Sequence, residues 1–240
     1  MKFMTVVPVL YLLISAAVRA EEKGVELADY WLMPSNLVAK FCNVTLEGEI
    51  IFGEHCFWNG EFLGRQCFLQ GDPSMSKYDI FEINDGSIRY WGTFRGNKAD
   101  NQVSHVFKAP MLWMRKRMAV GDILNSQVPV QVLSPDARSM KHHGEVEMRM
   151  EINNHFHNWI LPETGVSYED VIEVTFWSDA NNPSSKEIYH LAKGKGTVRF
   201  VSSNKGEPSG VRTAWAVQFG KKEITKPSTP WYPVFGSLGK

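Results

Sequence analysis

The chain has 240 residues, of which 43% are hydrophobic, and its 26 basic side chains equal its 26 acidic ones in number. A balanced charge gives no electrostatic reason to expect a nucleic acid or an anionic membrane surface as a partner. Without the first twenty residues, which carry Lys2 and Arg19, the remaining chain is slightly acidic.

Residues 1–20 have the layout of a cleavable secretory signal peptide. Lys2 precedes an apolar stretch from Val6 to Ala17, and the small residues Val18 and Ala20 stand just before Glu21. The stretch is shorter than the roughly 20 apolar residues of a spanning helix, and no later segment is more apolar, so we expect no transmembrane segment. The sequence therefore predicts a secreted or periplasmic protein with a single β-rich domain at 21–240.

Three cysteines follow the predicted cleavage site: Cys42, Cys56 and Cys67. In an oxidising compartment they are compatible with one disulfide and one thiol left over, and three buried free thiols are the alternative. Cys56 and Cys67 flank a predicted turn at Asn59-Gly60, but there they would lie several residues out of register. Cys42–Cys56 is at least as good a pairing, and the spacings match no zinc site.

Short strands separated by turn residues dominate the first half of the chain. Asn59-Gly60 is a strong hairpin signal, and Asn84-Asp85-Gly86 predicts a second hairpin. The flanking strands are expected at Glu49–Trp58 and Glu61–Leu69 for the first hairpin, and at Tyr78–Ile83 and Ser87–Phe94 for the second.

The clearest strand of the second half is Glu145–Ile152, where apolar and charged residues alternate strictly. Met111–Met118 fits either a short helix or a strand. Further strands are expected at Asp170–Trp177, Thr197–Ser202 and Ala214–Phe219. Many short strands with turns between them predict an all-β fold with few short helices, which an antiparallel sandwich, a barrel or a strongly curved sheet would satisfy equally.

Three segments resemble parts of a diffuse group of uncharacterised secreted bacterial β-rich proteins: residues 29–34 (DYWLMP), 118–122 (MAVGD) and 187–198 (EIYHLAKGKGTV). The last one is similar to a closing motif of the form Tyr-x-x-Ala-Lys-Gly-x-Gly-x-Val, although Lys195 stands where the group usually has an apolar residue. The resemblance implies a β-rich fold and supplies no active-site residue. Independently of it, Gly194 and Gly196 predict a bulge or tight bend between two strands.

Histidines cluster around the strand Glu145–Ile152, with His142 and His143 before it and His155 and His157 after it. In an extended segment, His155 and His157 point to the same side. Together with His143 or Glu151 they would make an open zinc-type site. The alternative is that Phe156 and Trp159 pack while these histidines line the surface.

Three acidic residues, Glu145, Glu147 and Glu151, share one face of the same strand. Two carboxyl groups about 5–9 Å apart are the requirement for cleaving glycosidic bonds, and residues two apart on a strand meet it. Alternating acidic residues are also what the solvated face of a strand looks like. A metal-assisted or carboxylate-based hydrolase or lyase using the His142–His157 region is therefore the alternative function.

The chain carries eight tryptophans and ten methionines but no complete catalytic constellation. Exposed aromatic rings stack on sugars or line apolar cavities, and Trp91 and Trp177 are the predicted ligand-binding residues. The favoured function is a non-enzymatic binding protein for an apolar ligand, a glycan or a protein partner. It requires no cofactor, and zinc is the alternative.

Overall fold

The computed structural model describes residues 24–34, 37–62, 64–71, 77–95, 105–133, 140–177, 186–202 and 211–221. The predicted signal peptide at 1–20 lies outside them. The elements in chain order are β1 (Val25–Glu26), α1 (Ala28–Trp31), β2 (Leu37–Thr45), β3 (Ile50–Phe62), β4 (Arg65–Gly71), β5 (Lys77–Asn84), β6 (Ser87–Arg95), β7 (His105–Met114), β8 (Arg117–Met118), β9 (Ile123–Leu133), β10 (Met140–Ile160), β11 (Ser167–Trp177), β12 (Lys186–Ala192), β13 (Gly196–Ser202) and β14 (Val211–Lys221).

Twelve of these strands form a closed antiparallel barrel. Strands β2 to β7 follow one another around the barrel, then β9 to β14, and β14 pairs with β2 to complete the ring. The short strands β1 and β8 pair separately. The prediction of an antiparallel all-β fold is confirmed, and of the three architectures that fitted the sequence the closed barrel is the one that forms.

The barrel interior is packed by α1 and by aromatic side chains. A barrel of eight strands is about wide enough for side chains to fill, so twelve strands enclose more space than side chains of the wall alone occupy. Trp31 of α1 enters this space and is 4% exposed. Its ring lies 5.5–6.0 Å from those of Phe81, Trp113, Phe176 and Tyr189.

The hairpin predicted at Asn59-Gly60 is wrong, because these residues lie inside β3. Asn59 pairs with Phe68 and Gly60 pairs with Cys67, and the chain turns later, next to Gly64. Gly64 has a φ of +73°, the left-handed conformation that a tight turn needs, whereas a Cβ on Gly60 would press against the Leu69 side chain. The absence of a side chain at Gly60 thus allows β3 and β4 to pack closely at this point.

The other local predictions agree with the structure. Asp85-Gly86 forms the turn between β5 and β6, and residues 193–195 form the bend between β12 and β13. Within β10, Met148, Met150 and Ile152 are buried as the alternation predicts. Residues 111–118, which fitted a helix or a strand, belong to β7 and β8 with a two-residue break.

The predicted disulfide is also wrong, since all three cysteines are free and buried. Cys56 lies opposite Val38 rather than Cys42, and Cys67 lies opposite Gly60 rather than Cys56. Each proposed pair is therefore four residues out of register, which is about 13 Å along a strand. A disulfide requires Cα atoms within about 7 Å.

Candidate functional site

A hydrogen-bonded network joins α1 to the barrel wall. The Tyr30 hydroxyl donates to Asp170 Oδ1 at 2.5 Å, and His155 Nε2 lies 2.6 Å from the same oxygen. Tyr30 Oη is also 3.4 Å from His155 Nε2. Two side chains, one from α1 and one from β10, thus converge on a single carboxylate oxygen of β11.

The backbone brings these side chains together through irregular positions in two strands. β10 has a register shift between Ile152 and Asn154, so the residues after it, including His155, continue along β11 in a new register. Asp170 has a φ of +55°, an uncommon conformation for a residue other than glycine. Backbone outliers of this kind concentrate at functional sites.

Burial and neighbouring charges set the protonation of this network. Burial, the hydrogen bond to Asp170 and the Asp170 charge together raise the pKa of Tyr30, so its hydroxyl stays a donor. For Asp170, burial acts to raise the pKa, but hydrogen bonds from Tyr30 and His155 and the nearby Lys193 charge outweigh it and lower the pKa. Asp170 is therefore a stable anion that fixes α1 in place.

Lys193 links this network to an open groove. Its Nζ lies 3.7 Å from both Asp170 Oδ2 and Asp29 Oδ2, and the backbone N–H of Gly194 donates to the Asp29 carbonyl. The groove has a volume of about 660 Å³ and is lined by Ala28, Asp29, Leu32, Met33, Pro34, Asn59, Phe68, Lys193 and Gly194. Its wall is mainly apolar and includes a few polar side chains, which is typical of small-molecule sites.

The predicted metal ligands are brought together only in part. The rings of His155 and His157 lie 5.3 Å apart, and His157 is exposed. His155 is engaged by Asp170, and Glu151 pairs with Arg149 at 3.0 Å. For His143 only the backbone is described, opposite Gln131. No group of three metal-ligating side chains forms within the described part of the chain.

The two predicted ligand-binding tryptophans differ in environment. The expectation that Trp91 lies near the surface is wrong: it is 5% exposed, packs against Phe62, and its Nε1 donates to Glu82 at 2.9 Å. It belongs to a second buried cluster, separate from the one that contains Ile88. Trp177 is half-buried at the end of β11, with the Arg149 guanidinium 4.8 Å above its ring.

The acidic face of β10 is occupied by contacts with neighbouring polar side chains. Glu145 accepts a hydrogen bond from Gln127 at 2.7 Å, and Glu151 is paired with Arg149. Such pairing is typical of a solvated strand face.

The residue pattern alone does not mark Tyr30, Asp170 or Lys193 as site residues. A signal was nevertheless present, because segments 29–34 and 187–198 both contribute to the groove. The third segment, 118–122, contributes to a small cleft that His155 also lines. The meeting of segments so far apart in the chain is invisible until the strand order is known.

No model of a known protein family matches this chain, and no curated protein matches it. Among solved structures, the crystal structure of a "putative lipoprotein" from Parabacteroides distasonis is 8% identical, with 79% of this chain and 97% of that chain covered and a TM-score of 0.31. A score of this size supports no conclusion, so the fold description depends on this chain's own strand pairing. In the described residues, no helix has the length and apolar character needed to cross a membrane.

Proposed function

We propose that this chain is an exported binding protein that holds a small, largely apolar ligand in the groove beside α1. The groove itself carries the proposal, because its lining combines apolar side chains of α1, of the residues that follow it and of β4 with a few polar side chains. Leu32, Met33 and Phe68 offer contact to an apolar chain or ring. Asp29 and Asn59 add hydrogen-bonding groups at the rim.

The hydrogen-bonded network around Asp170 favours binding over catalysis, because its polar groups are already bonded to one another. Tyr30 is 2% exposed and its hydroxyl is directed at Asp170, so it is not presented to the groove. Lys193 is flanked by two carboxylates. These contacts hold α1 and the 193–195 bend as a preformed wall, which lowers the entropic cost of ligand binding.

Tryptophan fluorescence tests the proposal, since Trp31 adjoins the groove residue Leu32. We expect fatty acids or oligosaccharides from a panel to shift the emission and to be recovered chemically unchanged. Leu32→Ser should weaken binding by about tenfold, because burying a leucine side chain contributes about 1.5–3 kcal/mol. Leu46→Ser is the matched control, since Leu46 lies in the turn between β2 and β3. Equal affinity of both variants would contradict groove binding.

A hydrolase or lyase is the second candidate function. The supporting observation is His155, whose side chain is 18% exposed and bonded to a carboxylate on a strained backbone, the pairing that orients a general base. Turnover of any panel member, abolished by His155→Ala but not by His157→Ala, would establish this function in place of simple binding.

Export has its own test. Mass spectrometry of protein recovered from the secreting cell should give Glu21 as the first residue. Recovered protein that retains residues 1–20 would contradict this part of the proposal.

A further inference from the structure

Inside the barrel, three polar side chains of β5 and β6 form a compact cluster. The Tyr90 hydroxyl donates to Asp79 Oδ1 at 2.9 Å, and the Thr93 hydroxyl donates to the same oxygen at 2.5 Å. Tyr90 packs against the interior aromatic residues, so the cluster faces the barrel lumen rather than solvent. Polar groups in such a place are costly unless they have a partner.

The charge of a second carboxylate, Glu187, acts on this cluster from a strand that does not neighbour β6. Burial raises the pKa of Tyr90, and the negative charges of Asp79 and Glu187 add to the effect. Glu187 belongs to β12, which is several strands away from β6 around the ring, so its influence on Tyr90 acts across the lumen. Glu187 also accepts a hydrogen bond from Tyr189 at 2.8 Å.

Gln70 adds a buried acceptor to the same wall. It lies directly opposite Asp79 in the β4–β5 pair, where side chains point the same way with Cβ atoms about 5 Å apart. Gln70 is 7% exposed, yet its Oε1 accepts no hydrogen bond from any described residue. A buried acceptor without a donor costs about 1–3 kcal/mol, so a donor brought by a ligand would recover that energy.

Aromatic rings form the rest of the surroundings. Trp113 stacks on Phe176 at 4.5 Å and lies 5.1 Å from Tyr90, and Tyr189 lies 5.4 Å from Phe176. The faces of aromatic rings carry partial negative charge and attract cations. Carboxylates, an amide oxygen and ring faces all favour one kind of ligand group, a positively charged donor.

We propose that this luminal cluster binds a protonated primary amine, so that the groove ligand is an amphiphile with an ammonium group. The inference rests on the proposed groove function and names its ligand class. Phe68 lines the groove, and Gln70 follows two residues later on the same face of β4, about 7 Å along the strand. An alkyl chain beside Phe68 therefore places its ammonium group next to Gln70 and Asp79.

A series of three eight-carbon probes tests the ligand class. Octylammonium, 1-octanol and octanoate carry the same alkyl chain with positive, zero and negative charge. Titrations followed by tryptophan fluorescence should give octylammonium at least about tenfold higher affinity than octanol, and octanoate the lowest. A tenfold ratio of affinities is about what one hydrogen bond to a charged group contributes to the free energy of binding.

Variants separate the luminal cluster from the groove. Asp79→Asn retains an acceptor for Tyr90 and should reduce the octylammonium affinity to the level of octanol while leaving octanol binding unchanged. Glu61→Gln removes an exposed carboxylate elsewhere and is the control for overall charge. Octanoate binding as tightly as octylammonium would overturn the amine inference and leave groove binding standing. Absence of binding by all three probes would overturn both.

Discussion

Asp170 is the residue on which the position of α1 depends most. Its carboxylate accepts from Tyr30 and His155, lies 3.7 Å from Lys193, and sits on a backbone with positive φ. Because aspartate and asparagine tolerate that conformation better than most residues, asparagine at this position removes the charge and keeps the backbone. The charge and the conformation can thus be tested separately.

Asp170→Asn should make the free energy of unfolding less dependent on pH in the acidic range. The folded state lowers the pKa of Asp170, so its contribution is present above the ordinary aspartate pKa of about 3.9 and is lost as the pH falls through the folded value. Urea unfolding between pH 7 and pH 3 should show a smaller loss of free energy of unfolding for the variant. Asp85→Asn, which also has positive φ but lies exposed in a turn, is the control and should retain the wild-type slope.

At the scale of secondary-structure elements, Gly92 determines how closely two neighbouring strands approach each other. Gly92 of β6 has a φ of +127°, and a Cβ there would lie 2.1 Å from the carbonyl oxygen of His105 on β7. The two strands can approach each other only because this position has no side chain. The shift in register between Tyr90 and Gly92 occurs at the same place.

Gly92→Ala should lower the free energy of unfolding by at least about 2 kcal/mol, because it combines a clash with backbone strain. Gly220→Ala in β14 is the matched control, since nothing lies within 4 Å of its added Cβ. There we expect a change of at most about 1 kcal/mol, in the stabilising direction. Equal losses from both substitutions in chemical denaturation would contradict this account.

The strand register also predicts the behaviour of the cysteines. A thiol reagent should label Cys42, Cys56 and Cys67 slowly in the native protein, since all are buried, and all three upon unfolding without reductant. Burial and the nearby Glu82 charge raise the pKa of Cys67 to about 11, so little of its reactive thiolate form is present in the native protein at neutral pH. A single reactive thiol after unfolding would reveal a disulfide instead.

The sequence was informative about local structure and much less so about pairing. Asn84-Asp85-Gly86 gave the correct turn because its conformation is a local property. Asn59-Gly60 has the same appearance, but there packing against Leu69 and the length of β3 decide the outcome. Strand alternation in β10 was equally visible from residue types. The partners of each strand were not, because pairing joins residues far apart in the chain.

The candidate site was predictable to the same limited extent. His155 was identified from its spacing, but its partners Tyr30 and Asp170 lie 125 and 15 residues away in the sequence. Trp91 was expected among the exposed aromatic rings. Both faces of that strand are in fact buried, so alternation alone could not place it.

For the whole molecule, α1 acts as a structural part of the barrel interior. Trp31 contacts aromatic residues from β5, β7, β11 and β12. Trp31→Ala should lower the free energy of unfolding by about 3–5 kcal/mol, as truncations of buried aromatic residues do. Trp177→Ala, at a half-buried ring, is the comparison and should cost less in thermal or urea unfolding. A reversed order would show that α1 is not required for the packed interior.

The pairing of β2 with β14 has a consequence for the order of events in folding. Leu37, at the start of β2, lies opposite Lys221, at the end of β14, so the last of the described strands is a neighbour of the first strand of the barrel. Contacts of such long sequence separation slow folding, and until β14 is available β2 presents an unpaired strand edge. The ring of strands therefore cannot close until β14 has been made, however early the other strands pair.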